Sequence, residues 1–241
     1  ADYYLKDGFF TKSIAMYKRI SRIDPNYQEA FFKLAELYTK QGLIIEAKQI
    51  YLDMAEEFKR QMNQKRALDM YKKILEFDRN NIKMRLLLAD SYLKEGLEEA
   101  ATEEYLIASD ILINRKEFDK VEELVEKLKT KLSSSRLTEK LVTAYSHQGK
   151  INEAIQMLLD QGEVLYQHIS LLKMLGELLF EQNRIDEAEA VFKKVATIDP
   201  SEAEVILKLG RVYLQREEYA KTFELFEPVV QSHIANKRFD E

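Results

Sequence analysis

The 241-residue sequence predicts an all-α protein, a right-handed α-α superhelix (solenoid) of stacked antiparallel helix pairs. Three observations carry this. The chain holds only 3 prolines and 7 glycines, and both residues weaken helix interiors. Apolar residues recur at spacings of three and four, as in Phe31, Leu34, Ala35 and Tyr38, and no stretch alternates long enough to argue for a strand. The glycines are regularly placed: 34 residues separate Gly8 from Gly42 and Gly176 from Gly210, 54 separate Gly42 from Gly96, and 53 separate Gly96 from Gly149. Fixed periods of this kind mark stacked repeats.

A 34-residue frame accounts for the elements in order. The first unit enters at its eighth position, which places Gly8 at position 15, Tyr17 at 24 and Pro25 at 32. From Gln28 the frame puts Phe31 at 4, Leu34 at 7, Ala35 at 8, Tyr38 at 11, Gly42 at 15, Ala47 at 20 and Tyr51 at 24. Small residues at 8 and 20 let two antiparallel helices approach closely. Large residues at 4, 7, 11 and 24 fill the space around that contact, and glycine at 15 relieves the backbone where the first helix ends. The frame recurs from Ile82 (Leu88, Ala89, Tyr92, Gly96, Ala101, Tyr105), from Ser135 (Leu141, Tyr145, Gly149, Ala154), from Ile169 (Leu175, Gly176, Leu179, Ala188, Phe192, Pro200) and from Ala203 (Leu209, Gly210, Tyr213, Phe226). The expected helices are 2–7, 10–23, 28–41, 44–60, 64–77, 82–95, 98–114, 117–132, 136–148, 151–161, 168–182, 185–197, 202–215 and 218–235. Asp24, Asn80 and Ser201 are start signals.

Two further units overlap their predecessors. From Lys48 the frame reads Tyr51, Met54, Ala55, Phe58, Ala67 and Tyr71, and from Thr102 it reads Tyr105, Ala108, Ser109, Leu112, Val121 and Val125. Each begins 20 residues into the unit before it. The helices at 44–60 and 98–114 are therefore expected to serve two pairs each, in three-helix units of 54 residues, and to be apolar over a wide arc. Ordinary pairs joined by long linkers are the alternative, but no Gly-, Pro- or Ser-rich linker separates these stretches. The organisation read from this is a single array over 1–241: a partial repeat at 1–27, three-helix units at 28–81 and 82–134, repeats at 135–168, 169–202 and 203–236, and the start of a further repeat at 237–241. Both ends fall inside repeats, so a segment of a longer array is expected, and exposed apolar ends would permit end-to-end self-association. Ser133, Ser134 and Ser135 form a low-complexity patch, either an interhelical loop or a hinge. Gln161-Gly162 should interrupt a second helix early, and Pro228 should kink or unwind the last full helix.

This pattern resembles the tetratricopeptide repeat, with its large residue, Leu, small residue and Tyr on helix A and its Ala and aromatic on helix B. The shared helices and the Leu-Phe-Glu-Pro end look like long bacterial scaffolds of that family. The resemblance implies a concave groove lined by helix A positions 2, 5, 6, 9, 12 and 13 that holds a peptide or partner helix. For bacterial members it also implies roles in polarity or motility, including recruitment of a Ras-like GTPase. The groove slots here include Phe32, Lys33 and Glu36, then Leu86, Asp90 and Leu93, then Lys173, Glu177 and Phe180, then Arg211 and Leu214. Apolar slots could receive an amphipathic helix, with Asp90 and Glu177 meeting basic residues on its rim. Burial of Leu86 and Leu93 against the shared helix is the competing reading. The Lys and Asn clamp of chaperone-tail adaptors is missing.

Other chemistry is poorly supported. With 42 acidic and 37 basic residues the net charge is −5, which disfavours nucleic acid, since phosphate neutralisation needs clustered excess cations. Cysteine is absent, removing thiolate metal sites and a thiol nucleophile. No apolar run reaches the ~18 residues of a membrane span, and the start is not a signal peptide, so a cytoplasmic setting without direct membrane insertion is expected. His147, His168 and His233 lie in three separate units without ligand spacing, and phosphate-loop and nucleophile-elbow motifs do not occur. No cofactor is expected. Lys59-Arg60 and Lys65-Arg66 form a basic cluster diluted by Glu56 and Glu57, read as a solvated edge or a docking spot for an acidic partner. The expected function is a non-enzymatic scaffold for a protein partner; the alternative is a targeting or regulatory domain of an enzyme whose catalytic part lies elsewhere.

Overall fold

The computed structural model describes residues 3, 9–129, 131–132, 134–199 and 203–235, with 203 and 228–235 as backbone. All described elements are helical. Most of the expected helix at 2–7, together with Gly8, Ser133, Pro200, Ser201 and the tail from 236, lies outside the described residues. The chain forms two compact units, 1–116 and 117–241. The first contains α1 (Phe10–Ile23), α2 (Gln28–Lys40), α3 (Ile44–Arg60), α4 (Gln64–Phe77), α5 (Ile82–Lys94) and α6 (Glu98–Asn114). The second contains α7 (Phe118–Leu128), α8 (Ser135–His147), α9 (Ile151–Leu159), a 3-10 turn (Gly162–Gln167), α10 (Ile169–Glu181), α11 (Ile185–Ile198), α12 (Ala203–Gln215) and α13 (Tyr219–Ala235). Within each unit every helix packs on the one before it.

The sharing of α3 is visible in the core. Ala47, near its start, is buried with Tyr17, Ala30, Leu34, Leu37 and Tyr38 of α1 and α2. Tyr51, Met54, Ala55 and Phe58 are buried in a second cluster with Ala67, Tyr71 and Ile74 of α4 and Met84 and Leu88 of α5. One helix thus fills two interiors, and it needs 17 residues to do so where α2 and α5 need 13. The other expected shared helix, α6, also has 17 residues and buries Ala101, Tyr105, Leu106, Ala108, Ser109, Ile111 and Leu112 around most of its circumference.

Position 15 of the frame proves to be a backbone position rather than a glycine position. Gly42, Gly96 and Gly149 have φ of 72°, 74° and 74°. All four non-glycine residues with positive φ among the described residues, Met62, Lys116, Asn183 and Glu217, also fall at position 15, at 58°, 59°, 58° and 60°. Those of Met62 and Lys116 belong to the two overlapping units, so α3 and α6 end as a first helix ends. The geometry is a Schellman cap. Leu43 N–H donates to Tyr38 C=O (2.9 Å), Asn63 N–H to Phe58 C=O (2.8 Å), Leu97 N–H to Tyr92 C=O (2.9 Å) and Arg184 N–H to Leu179 C=O (2.9 Å). Helices that act only as second helices stop differently: α1, α4 and α11 end at Asp24, Asp78 and Asp199, with φ of −129°, −128° and −132°.

Three boundaries depart from expectation. The helix expected over 117–132 stops at Leu128, yet Leu132 N–H still donates to Leu128 C=O (2.8 Å) and the Leu132 side chain is buried. Next, α9 ends at Leu159, Gly162 takes φ +56°, and the 3-10 turn is pinned by buried Leu165. The interruption at Gln161-Gly162 is thus a repacked turn with its own core residue. Finally, α13 runs through position 228 without a break, so the missing proline N–H does not unwind the helix.

These contacts make positions 15 and 8 testable by stability. A left-handed residue other than glycine costs about 1–2 kcal/mol, and Met62 is 89% exposed, so nothing is lost when its side chain is removed. Met62→Gly should stabilise by about 1 kcal/mol, whereas Gly42→Ala, whose new Cβ would meet nothing within 4 Å, should destabilise by backbone strain alone; urea midpoints of opposite sign would show that position 15 is not left-handed in solution. At position 8 the cost is steric. A Cβ on Gly176 would lie 2.5 Å from Phe192 Cε1, so Gly176→Ala should cost about 1–3 kcal/mol by overpacking, and Phe192→Leu in the same chain should recover part of it in thermal melts.

Candidate partner-binding surface

In the first unit, α2 and α4 flank a cleft of ≈ 640 Å³. Gln28, Glu29 and Phe32 line it from α2, and Arg66, Asp69, Met70, Lys72, Lys73 and Glu76 line it from α4. The floor is apolar: Met70 is buried, and half-buried Phe32 packs on the cluster that contains it. The walls carry three carboxylates (Glu29, Asp69, Glu76) and three cations (Arg66, Lys72, Lys73), most already engaged. Arg66 Nη1 donates to Gln28 Oε1 at 2.8 Å, Lys73 Nζ lies 2.9 Å from Glu76, and Lys72 Nζ sits 5.5 Å above the Tyr92 ring.

Of the residues read from the sequence as groove-facing, Phe32 lies in this cleft. Lys33 bridges Glu29 and Glu36 on its own helix, at 3.7 Å to each. Leu86 and Leu93 are half-buried on α5. Asp90 accepts a 2.5 Å hydrogen bond from Tyr105 Oη, so its carboxylate is engaged by the neighbouring helix. In the second unit Lys173 pairs with Glu204 at 2.9 Å, Glu177 with Lys208, and Lys208 also with Glu204 at 3.1 Å. These slots therefore tie α10 to α12. Phe180 is half-buried against the core, and Arg211 and Leu214 are exposed on α12. The α4 wall of the cleft was not legible in advance, since second-helix residues are ordinarily read as packing. The basic cluster also resolves: Arg66 lies over Phe58 at 5.5 Å, and Arg60 pairs with Glu57 at 2.9 Å.

The second unit has a smaller cavity of ≈ 290 Å³ beside the serine patch, with Leu128, Leu132, Leu137 and Leu171 in its floor and Lys129, Ser134, Gln161 and His168 on its rim. At the opposite end of the α7–α8 pair, Phe118 stacks on His147 with centroids 5.3 Å apart. Glu122 accepts from Tyr145 Oη at 3.0 Å and from Lys150 Nζ at 3.1 Å, and the Lys150 bond holds its carboxyl below the usual range. No group of three or more metal-ligating side chains, and no helix long and apolar enough to cross a membrane, occurs among the described residues.

Burial, followed by the hydrogen bond to Asp90, pushes the Tyr105 hydroxyl well above its ordinary value. The folded pKa is raised, so the stabilisation is complete below about pH 10 and decays as pH rises toward the folded value. Wild-type stability should consequently fall more steeply above about pH 10 than that of Tyr105→Phe, while at neutral pH the variant is weaker by about 1–3 kcal/mol through loss of the bond to Asp90. Parallel alkaline limbs in chemical denaturation would refute the linkage.

Residues 179–222 match the tetratricopeptide repeat family model. A search of curated protein sequences finds no match. Similar solved structures include residues 41 to the end of MamA from Desulfovibrio magneticus RS-1, at 15% identity and TM-score 0.43, covering 80% of this chain and 97% of that one. They also include YrrB, a TPR protein with an unusual peptide-binding site, at 19% and 0.38, covering 76% and 84%. A third is TTC0263, a thermophilic TPR protein in Thermus thermophilus, at 17% and 0.41, covering 69% and 99%. The 179–222 match runs from the end of α10 through α11 and α12 into the start of α13, and the small residues and left-handed turns found there recur in both units; the family resemblance is shown for residues 179–222.

Proposed function

We propose that the chain is a non-catalytic interaction scaffold that holds a peptide or amphipathic helix of a partner protein against the α2–α4 face. The supporting observation is the cleft itself: an aromatic and a methionine in the floor, with one carboxylate on the α2 wall and two carboxylates and three cations on the α4 wall. Phe32 is only half-buried by its own chain, so an apolar anchor from a partner completes its burial, and rim charges select the register of a helix laid along the cleft. A specific complex buries about 800 Å² per partner, and the exposed edges of α2 and α4 extend the surface beyond the cleft. The bacterial resemblance adds one partner class, a Ras-like GTPase, to be assayed on the same face.

The test is capture of partners on the immobilised chain, followed by affinity measurement. Phe32→Glu places a carboxylate on the apolar floor and should weaken a captured partner at least about tenfold, one tenfold step being about 1.4 kcal/mol, with the helical circular dichroism unchanged. Undiminished affinity would remove the α2–α4 face as the site. Turnover of a substrate by the purified chain would remove the scaffold reading.

A further inference from the structure

A second cleft, of ≈ 390 Å³, lies where the turn between α1 and α2 meets the C-terminal half of α3. Its lining includes Pro25 and Asn26 of the turn, Phe31 of α2, and Asp53, Phe58 and Gln61 on or just after α3. Phe31 and Phe32 are neighbours in sequence, but a helix turns about 100° per residue, and each ring belongs to a different cleft. Charges at this mouth are unevenly satisfied. Glu57 is matched by Arg60 at 2.9 Å and by Gln61 Nε2 at 2.8 Å. Exposed Asp53 accepts from the neutral amide of Gln49 at 2.7 Å and, among the described residues, pairs with no cation.

The 54-residue repeat supplies an internal comparison within the same unit. At the corresponding place one repeat later, Phe31 becomes Arg85, Pro25 becomes Arg79, Asn26 becomes Asn80 and Gln61 becomes Arg115, while the carboxylate sits elsewhere on the helix, Asp53 becoming Ile107 and Ile50 becoming Glu104. There the chain puts its own guanidinium groups on the turn. Arg85 Nε donates to Arg79 C=O at 2.9 Å and Arg85 Nη1 to Glu104 at 2.6 Å, in a pair whose side chains are only 13% and 18% exposed. Arg115 Nη2 donates to Asn80 C=O at 3.3 Å. In the second repeat the backbone of this turn thus accepts two guanidinium groups; in the first, neither Phe31 nor Gln61 provides one, and Arg60, which also lines the cleft, is paired with Glu57.

We propose that the open cleft takes an arginine side chain from a partner protein. Its guanidinium lies against the turn carbonyls and Asp53, and its methylene stem lies on Phe31, Met54 and Phe58. Arginine fits better than lysine because a planar fork can serve a carbonyl and a carboxylate at once. The site adjoins the α2–α4 cleft at Gln28, which lines both, but does not rest on that face being a binding site.

The probe is the peptide acetyl-Gly-Leu-Arg-Leu-Gly-amide, titrated into the full chain and followed by amide chemical shifts, beside versions with lysine or norleucine at the centre. The arginine peptide should shift the amides of 26–28 and 57–61. Asp53→Asn should weaken it about tenfold. Gln61→Arg, which restores the guanidinium that Arg115 supplies one repeat later, should block it from within. Both changes are at exposed positions, and Phe32→Glu should leave the peptide's affinity unchanged. The proposal is overturned by no shift at those amides, by equal binding of the norleucine or the lysine peptide, by wild-type affinity in Asp53→Asn or Gln61→Arg, or by loss of binding in Phe32→Glu.

Discussion

The distance at which one helix can pass the next governs both units. That distance is set at positions 8 and 20, where Ala35, Ala47, Ala55, Ala67, Ala89, Ala101, Ala154 and Ala188 are essentially without solvent contact. A methyl group there lets backbones approach while still excluding water. Where the frame carries glycine at position 8, the aromatic at position 24 moves into the vacated volume: Phe192 against Gly176, and Phe226 against Gly210. The ring stands where a Cβ would otherwise be, so the contact stays close-packed. The remaining features, including the exit of the chain at position 15 and the burial of α3 in two interiors, follow from this approach being repeated at a fixed interval.

That repetition explains how much could be read in advance. Helix order, most boundaries and the double duty of α3 were legible because each is written several times in the same register. Features that occur once were not. Met62, Lys116 and Glu217 carry no sequence signal for a left-handed turn, since only glycine, and less often asparagine, announces one; the cap forms because its cross-turn hydrogen bonds and the next helix outweigh the local strain. The inward turn of Leu132 and the pinning of the 3-10 turn by Leu165 likewise depend on tertiary neighbours. The candidate surface was legible at Phe32, whose slot is apolar and half-open, but not on α4, which contributes through residues whose frame positions normally only pack.

Charged slots divide along similar lines. A carboxylate at a groove position has two uses, and sequence does not distinguish them: it can face a ligand or lock two helices together. Glu177, Lys173, Lys208 and Glu204 lock α10 to α12, and Asp90 locks α5 to α6 through Tyr105. Exposed ion pairs contribute little stability on their own, so their main effect is on geometry and on availability. A cation already paired within the chain must be released before it can serve a partner, which favours faces where an apolar floor does the binding and charges only set register.

Divergence between equivalent places in the two 54-residue repeats carries the same logic one step further. A stacked repeat must keep positions 8, 11, 15, 20 and 24 compatible with packing, but position 4, at the edge of that core, accepts Phe31 in one repeat and Arg85 in the next. At that place the second repeat seals its turn with Arg85 and Arg115, while the first leaves a ring, an amide and an uncompensated carboxylate. Sealing one turn and leaving its counterpart open is a matter of side chains: Phe31 and Gln61 stand where Arg85 and Arg115 do, and Ile50 stands where Glu104 does. A solenoid can thus acquire a site at any repeat by omitting the side chain that closes the equivalent place elsewhere, and the closed copy describes the chemistry that the open copy will accept.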